Sequence, residues 1–112
     1  MADSRGTLIP GTLNILILKS LTWGPLHGYA ISKWVLERTE EVLRVEEGVL
    51  YPALHRLEKD GCLEAEWGRN DTGRRAKFYS LTPGGLKRLE TKTARWRRSA
   101  GAVETVLNLK EA

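Results

Sequence analysis

The C-terminal part of the chain repeats apolar residues at alternating intervals of three and four positions. Such intervals place side chains along one stripe of an α-helix, as in the seam of a coiled coil. The pattern predicts one helix from Pro83 to about Leu109, with Thr82 as N-cap and the proline in the first turn. A domain core this small does not cover so long and one-sided a helix, and a second copy of the chain is the simplest partner. The seam is interrupted by Thr93, and the positions predicted to form a dimer contact are Leu86, Leu89, Trp96, Ala100, Val103 and Leu107.

The size and composition limit the remaining possibilities. A length of 112 residues suits one domain. The net charge of +4 favours a polyanionic partner only weakly. The single cysteine, Cys62, excludes an internal disulfide and fits a reducing compartment. The most apolar stretch, residues 15–18, is far shorter than a membrane-spanning helix, so we expect a cytoplasmic protein with no membrane partner.

Three shorter helices are predicted before the seam helix. Helical spacing of apolar residues indicates helices over residues 10–22, 27–39 and 47–60, the last ending at Gly61. Leu43, Arg44 and Val45, between the second and third helices, are predicted to form a very short strand.

The apolar period then changes from helical spacing to alternation. Residues 62–67 place Leu63, Ala65 and Trp67 on one face, as in a half-buried strand, and residues 76–81 read as a second strand. The polar stretch 68–75 between them predicts a flexible hairpin loop. The expected fold is therefore α+β and mainly helical: a winged helix-turn-helix over residues 1–82, with a C-terminal dimerisation helix over 83–112 in the same compact unit.

The third helix is the candidate DNA-reading element, because the second helix of a helix-turn-helix enters the major groove. Its apolar face leaves six residues nearer the exposed side: Glu47, Gly48, Tyr51, Pro52, His55 and Arg56. Two alternatives stay open at this stage. Tyr51 packs half-buried instead of contacting a base, or Arg56 pairs with Asp60 instead of a phosphate.

The hairpin loop is the second candidate, because Arg69, Arg74 and Arg75 bring positive charge to a reaching loop. Such a wing contacts phosphates or a narrow minor groove. A solvated loop is the alternative for Arg69 and Arg74, and an ion pair with Glu64 or Glu66 is the alternative for Arg75.

Catalysis and metal binding have little support. His27 and His55 fall on different helices and have no cysteine near them, so neither a metal nor a cofactor is expected. Cys62 suits a small core thiol better than a nucleophile. Trp96, on the seam among arginines, is expected to pack in the dimer or to stack with a flat aromatic effector.

Several motifs resemble the PadR family of bacterial transcriptional regulators. The most specific is the string from Gly48 to Glu58, GVLYPALHRLE, which is preceded by HGYAI at 27–31 and followed by KFYSLTPGG at 77–85. The resemblance covers about residues 8–90, and the short C-terminal segment resembles the subfamily with a single dimerisation helix. It implies a homodimer that binds a near-palindromic operator, usually as a repressor, with the Tyr-Pro helix in the major groove and Arg74 and Arg75 in the wing.

The chain departs from the family pattern at the start of the third helix. Val49 stands where relatives often have a hydroxyl residue that can bond a phosphate or a base. Glu46 and Glu47 suit a helix N-terminus but not a phosphate surface, so they avoid the DNA backbone or accept from cytosine amino groups. Two rival functions remain: a sensor controlled by an aromatic or hydrophobic molecule at the dimer interface, and a winged-helix module that binds protein.

Overall fold

The computed structural model describes residues 11–110. In chain order the elements are α1 (Thr12–Ser20), β1 (Leu26–His27), α2 (Gly28–Arg38), α3 (Glu47–Lys59), β2 (Leu63–Arg69), β3 (Arg75–Leu81) and α4 (Pro83–Leu107). The strands form an antiparallel sheet in the order β1-β3-β2. The α+β winged-helix arrangement with a long last helix is confirmed.

The core lies where the first three helices meet the base of the sheet. Ile17 and Leu18 of α1, Ile31 of α2 and Leu54 of α3 are fully buried in it. Ser20 is also buried, and its hydroxyl donates to the carbonyl of Ile17 at 2.7 Å. The remaining core members come mostly from α3, the sheet and α4, and include Leu57, Leu63, Tyr79 and Leu89.

The helix boundaries follow the sequence pattern closely. The first helix, predicted for residues 10–22, covers Thr12–Ser20, while Pro10 lies outside the described residues. Residue 27 proves to be a cap, since His27 Nδ1 accepts a hydrogen bond from the Ala30 amide at 3.3 Å. Pro52 is the sixth residue of α3 and is accommodated inside it. The last helix ends at Leu107, two residues before the predicted limit.

The prediction of a strand at Leu43, Arg44 and Val45 is wrong. These residues form an irregular link in which the Leu43 amide donates to the Thr39 hydroxyl at 3.0 Å. The backbone reverses just before it, where Glu40 and Glu41 both have positive φ. The sheet's third strand is instead β1, which pairs Leu26 with Tyr79 and His27 with Phe78. Two residues are too few to show any alternation in sequence.

The hairpin is longer and more ordered than its composition suggests. Its strands pair from Leu63 opposite Leu81 to Arg69 opposite Arg75, which leaves only residues 70–74 as the loop. The expectation that Trp67 lies on a buried face is wrong, because 56% of this residue is exposed. The hairpin extends beyond the helices at that point, so alternation continues where no core remains to cover either face.

Candidate nucleic-acid interface

Helix α3 divides into a buried and an exposed face. Leu50, Ala53, Leu54 and Leu57 recur at three- and four-residue intervals and anchor one face in the core. All six of the residues predicted to face DNA are exposed: Glu47, Gly48, Tyr51, Pro52, His55 and Arg56. The helix therefore presents an exposed face on which Tyr51 and His55 lie one turn apart.

Tyr51 rests against the first residue of α2. A Cβ atom built on Gly28 would lie 2.6 Å from the Tyr51 hydroxyl oxygen and 2.7 Å from its Cε1, far inside contact distance. Tyr51 is still 44% exposed. Burial, with a smaller contribution from the Glu47 carboxylate, raises the pKa of its hydroxyl. Tyr51 thus keeps its proton and presents a hydrogen-bond donor in a position fixed by Gly28.

The first turn of α3 carries one acidic side chain, Glu47, and one exposed apolar side chain, Val49. Glu47 lies in the first turn, where a carboxylate is favoured by the helix dipole. Val49 is 42% exposed, so an aliphatic side chain faces solvent there. Any contact with DNA at this end of α3 therefore depends on the neighbouring backbone, on Tyr51, or on Glu47 as an acceptor for base amino groups.

The far end of α3 is tied to two neighbouring elements through acidic residues. Lys77 of β3 donates to Glu58 at 3.1 Å. Arg88 of α4 donates to Asp60 at 3.0 Å. Asp60 therefore pairs with Arg88 and not with Arg56, which leaves the Arg56 guanidinium exposed toward solvent.

The tip of the hairpin is an ordered turn organised by Asn70. Its Oδ1 accepts from the Thr72 amide at 3.1 Å, the Thr72 hydroxyl at 2.8 Å and the Arg74 amide at 2.9 Å. Gly73 takes the left-handed conformation, with φ of 84°, that closes the turn. One side chain thus satisfies three donors in the turn, and the loop is shorter than the predicted stretch 68–75.

The three wing arginines have different environments. Arg69 donates to the Gly73 carbonyl at 2.9 Å and so braces the turn. The Arg75 guanidinium carbon lies 4.3 Å from the centre of the Trp67 ring, a cation–π contact in place of the ion pair with Glu64 or Glu66. The side chain of Arg74 is exposed and has no hydrogen bond or ring contact among those found in residues 11–110. Of the three, Arg74 is the one most available to a phosphate.

The α3 face and the wing border one open groove. Tyr51 lines it from α3, Gly28 and Tyr29 from α2, and Arg75 and Lys77 from β3. The groove thus joins hydrogen-bond donors and cations from both candidate elements on one surface. A duplex in contact with α3 would also meet the wing.

Helix α4 uses its seam residues in two ways. Leu89 is buried in the core of its own chain, and Ala100 is partly covered. The Trp96 indole NH donates to the Thr12 hydroxyl of α1 at 3.1 Å, while 39% of the residue stays exposed. Leu86, Val103 and Leu107 are exposed by 46%, 56% and 72%. The second half of α4 therefore offers apolar surface that its own chain does not cover.

Two other kinds of site are absent from the described part of the chain. No helix within residues 11–110 is long and apolar enough to cross a membrane. No cluster of three His, Cys, Asp or Glu residues within the same range has a metal-binding arrangement. Cys62 is buried and free.

Sequence reasoning missed three residues of this surface: Gly28, Asn70 and Lys77. Gly28 and Lys77 act through contacts with α3 that are distant in sequence, so no local pattern reveals them. Asn70 does have a local signal, since Asn-Asp-Thr-Gly is a typical turn composition that predicts side-chain bonds to nearby amides.

Comparison with known proteins agrees with this geometry. The profile of the transcriptional regulator PadR-like family matches residues 17–91. An uncharacterized protein X of Lysinibacillus sphaericus is 32% identical over 92 residues, 82% of this chain and 84% of that one. Transcriptional regulator Rv3488 of Mycobacterium tuberculosis is 52% identical over 60 residues, 54% of this chain and 52% of its own length.

Solved structures show the same similarity in three dimensions. A transcriptional regulator from Clostridium thermocellum superposes with a TM-score of 0.77 at 33% identity, covering 85% of this chain and 92% of its own. A PadR family transcriptional regulator from Eggerthella lenta gives 0.75 at 32% identity, covering 89% and 85%. These relatives are regulators of transcription and not enzymes, and this chain belongs to the same PadR-like family.

Proposed function

We propose that this regulator binds DNA in a sequence-specific manner as a homodimer, and that it represses transcription from a near-palindromic operator. The observation that carries the proposal is the shared groove, where Tyr51 of α3 lines one surface together with Arg75 and Lys77 of the wing. Tyr51 and His55 supply donors for base edges, while Arg56, Arg74 and Arg75 supply charge for phosphates. Such a protein acts where the chromosome is, in the cytoplasm.

The homodimer is supported by the exposed apolar side of α4. Val103 and Leu107 lie on the seam, well beyond the core of their own chain. Pairing of two α4 helices buries these side chains and places two α3 helices on one assembly. Half-sites about one helical turn of DNA apart are then expected, roughly 34–36 Å between centres.

A mobility-shift titration tests DNA recognition. The protein is titrated on the region upstream of its own gene and on unrelated DNA of equal length, each at low and at physiological salt. We expect tighter binding to the upstream region, weakening steeply with salt because Lys and Arg displace counterions from phosphates. Arg74→Gln should weaken binding, whereas Lys33→Gln, an equal loss of charge on α2, should not. Equal weak binding to both DNAs would favour a protein-binding winged helix.

Two valines of α4 allow the loss of a seam contact to be distinguished from a general effect of an added charge. Val103 lies on the seam, whereas Val106 lies on another face, and both are more than half exposed. Val103→Asp should produce monomers in light scattering at a concentration where Val106→Asp remains dimeric. Monomers of the unaltered protein at that concentration would refute the homodimer.

A second candidate function is response to a small aromatic effector at the dimer interface. Trp96 favours it, because the bond to Thr12 fixes an indole that is still 39% exposed on the seam. Aromatic compounds should then quench the fluorescence of the protein and weaken its DNA binding. Both effects should vanish in Trp96→Ala and persist in Trp23→Ala, which removes an exposed tryptophan at the end of α1.

A further inference from the structure

The positive charge of the chain is concentrated in one segment of α4. Residues 87–98 contain six Lys and Arg and one Glu, a net charge of +5, whereas the whole chain has +4. All other residues together are therefore slightly acidic. Residues 46–60, which hold the whole of α3, contain two Lys and Arg against four Asp and Glu. The helix expected to approach DNA most closely is thus not the main source of attraction for phosphates.

The cations of this segment lie mainly on one side of α4. Lys87, Arg88, Lys92, Arg95 and Arg98 follow one another at intervals of one, four, three and three, which keeps them off the seam, with Lys92 nearest to it. We call these five residues the basic stripe. No carboxylate of α4 falls among them, because Glu90 lies toward another face.

The stripe is accessible and mostly unpaired. Lys87, Arg95 and Arg98 are exposed, and Lys92 is partly exposed. Among residues 11–110, Arg88 is the one member with an ion pair, to Asp60. Four neighbouring like charges repel one another, which is an unfavourable arrangement unless an anion is drawn to it.

The stripe begins beside α3. The Arg88–Asp60 bond of 3.0 Å and the bond of 2.7 Å from the Thr82 hydroxyl to the Gly61 carbonyl place the first turn of α4 at the C-terminal end of that helix. The wing contacts α3 through Glu58, two residues before Asp60 and on the other flank of the helix. The wing and the beginning of the stripe therefore both reach the C-terminal end of α3, at different flanks of that helix.

The length of the stripe suits a nucleic-acid strand. From Lys87 to Arg98 the helix rises about 17 Å, so five cations are spaced about 4 Å apart along the axis. A strand of duplex DNA carries one phosphate per roughly 3.4 Å of axis. The two charge densities are nearly equal.

We propose that the basic stripe of α4 is a second DNA contact, which binds phosphates flanking the segment read by α3. The inference rests on the proposed DNA-binding function and assigns to α4 a role beyond joining two chains. The contact is independent of base sequence, so it raises affinity for every duplex and leaves the preference between sequences unchanged.

The test compares two doubly substituted proteins of equal net charge. Lys87→Gln/Arg95→Gln removes two cations from the stripe, and Lys33→Gln/Lys110→Gln removes two exposed cations elsewhere. Affinities for the upstream region and for a random-sequence duplex of equal length are measured over a range of salt concentrations. Light scattering at the same protein concentration checks that each variant keeps the oligomeric state of the unaltered protein.

We expect the stripe variant alone to have a shallower dependence of log affinity on log salt. Each lost phosphate contact lowers the slope by about 0.9, so two per chain lower it by about 3.6 in a dimer. Between about 50 and about 200 mM salt, the unaltered protein then loses on the order of a hundred-fold more affinity than the stripe variant. The ratio of upstream to random affinity should be the same in both.

Other outcomes overturn one proposal or the other. Equal slopes for the two variants would refute the stripe as a contact, and so would a slope that changes only because the stripe variant dissociates into monomers. If the unaltered protein does not prefer the upstream region, sequence-specific recognition fails. The stripe is still tested in that case, because the salt dependence of binding to random DNA reports the same phosphate contacts.

Discussion

Gly85 is the position where a single methyl group should matter most. It is buried in the first turn of α4, and its amide donates to the hydroxyl of Thr82, the N-cap, at 3.0 Å. A Cβ on Gly85 would overlap the backbone carbonyl oxygen of Cys62 and lie 2.8 Å from a methyl carbon of Leu81. The Cys62 carbonyl also accepts from the Thr82 amide at 3.1 Å, so it is held from both sides and has little room to retreat.

The expected loss of stability follows from two opposing terms. Overpacking a well-packed site costs about 1–3 kcal/mol, and the upper end applies because backbone must move. Alanine in place of glycine inside a helix stabilises the helix by up to about 1 kcal/mol. Gly85→Ala should therefore lower the free energy of unfolding by about 2 kcal/mol. For a domain of this size, that corresponds to a melting temperature lower by roughly 8 °C.

Gly101→Ala is the matched control, since it is the same change in the same helix with no atom within 4 Å of the added Cβ. Thermal unfolding of both variants and of the unaltered protein is followed by circular dichroism at one protein concentration, so that differences in self-association caused by concentration do not affect the comparison. Gly101→Ala should melt at the original temperature or slightly above. The reasoning is refuted if Gly85→Ala melts with Gly101→Ala, since the contact between α4 and the Cys62 carbonyl would then not be tight.

Three further changes probe the candidate interface. Gly28→Ala should displace the partly exposed Tyr51 ring and so lower the DNA affinity measured by mobility shift. The free energy of unfolding should change by less than about 1 kcal/mol, because a side chain can move where backbone cannot. Unchanged affinity would show that the position of Tyr51 is not used. Asn70→Ala removes an acceptor of three hydrogen bonds at the exposed wing tip, so DNA affinity should fall with a stability loss of about 1 kcal/mol or less; equal affinity would mean that the order of the tip is irrelevant. Burial raises the pKa of the Tyr79 hydroxyl above its ordinary value of 10.0, so the stability that this group contributes is complete below pH 10 and is lost as pH rises through the raised pKa. The free energy of unfolding, measured by denaturant titration, should therefore fall between about pH 9 and 11, and it should fall less in Tyr79→Phe. An equal fall in both proteins would assign it to other groups.

The elements predicted correctly from sequence are those with several turns or several alternations. The buried face of α3 repeats four apolar residues at helical spacing, and α4 repeats its pattern over 25 residues. The strand predicted at residues 43–45 failed because three residues do not form a strand without a partner to pair with. The third strand of the sheet is Leu26–His27, which pairs with β3 through a contact more than 50 residues away in the chain.

The candidate site was predicted in its residues but not in its internal contacts. Exposure of Tyr51, His55 and Arg56 follows directly from the burial of the opposite face of α3. The partners of charged residues do not follow in this way, because Asp60 has a cation four residues before it and another far along the chain. It pairs with Arg88, since the turn at Gly61 and the cap at Thr82 bring α4 back against the end of α3.

That junction also explains how a helix outside the helix-turn-helix can govern where the protein binds. The Thr82 hydroxyl donates to the Gly61 carbonyl at 2.7 Å, the Thr82 amide donates to the Cys62 carbonyl at 3.1 Å, and Gly85 packs on the Cys62 carbonyl, so the start of α4 is joined to the backbone just after α3. Backbone contacts of this kind leave little freedom for α4 to turn independently of α3. If two chains pair through α4, the angle between the paired helices fixes the distance between the two α3 helices. A change in the seam should therefore alter the preferred spacing of half-sites, whereas a change on the exposed face of α3 should alter which bases are preferred within each half-site.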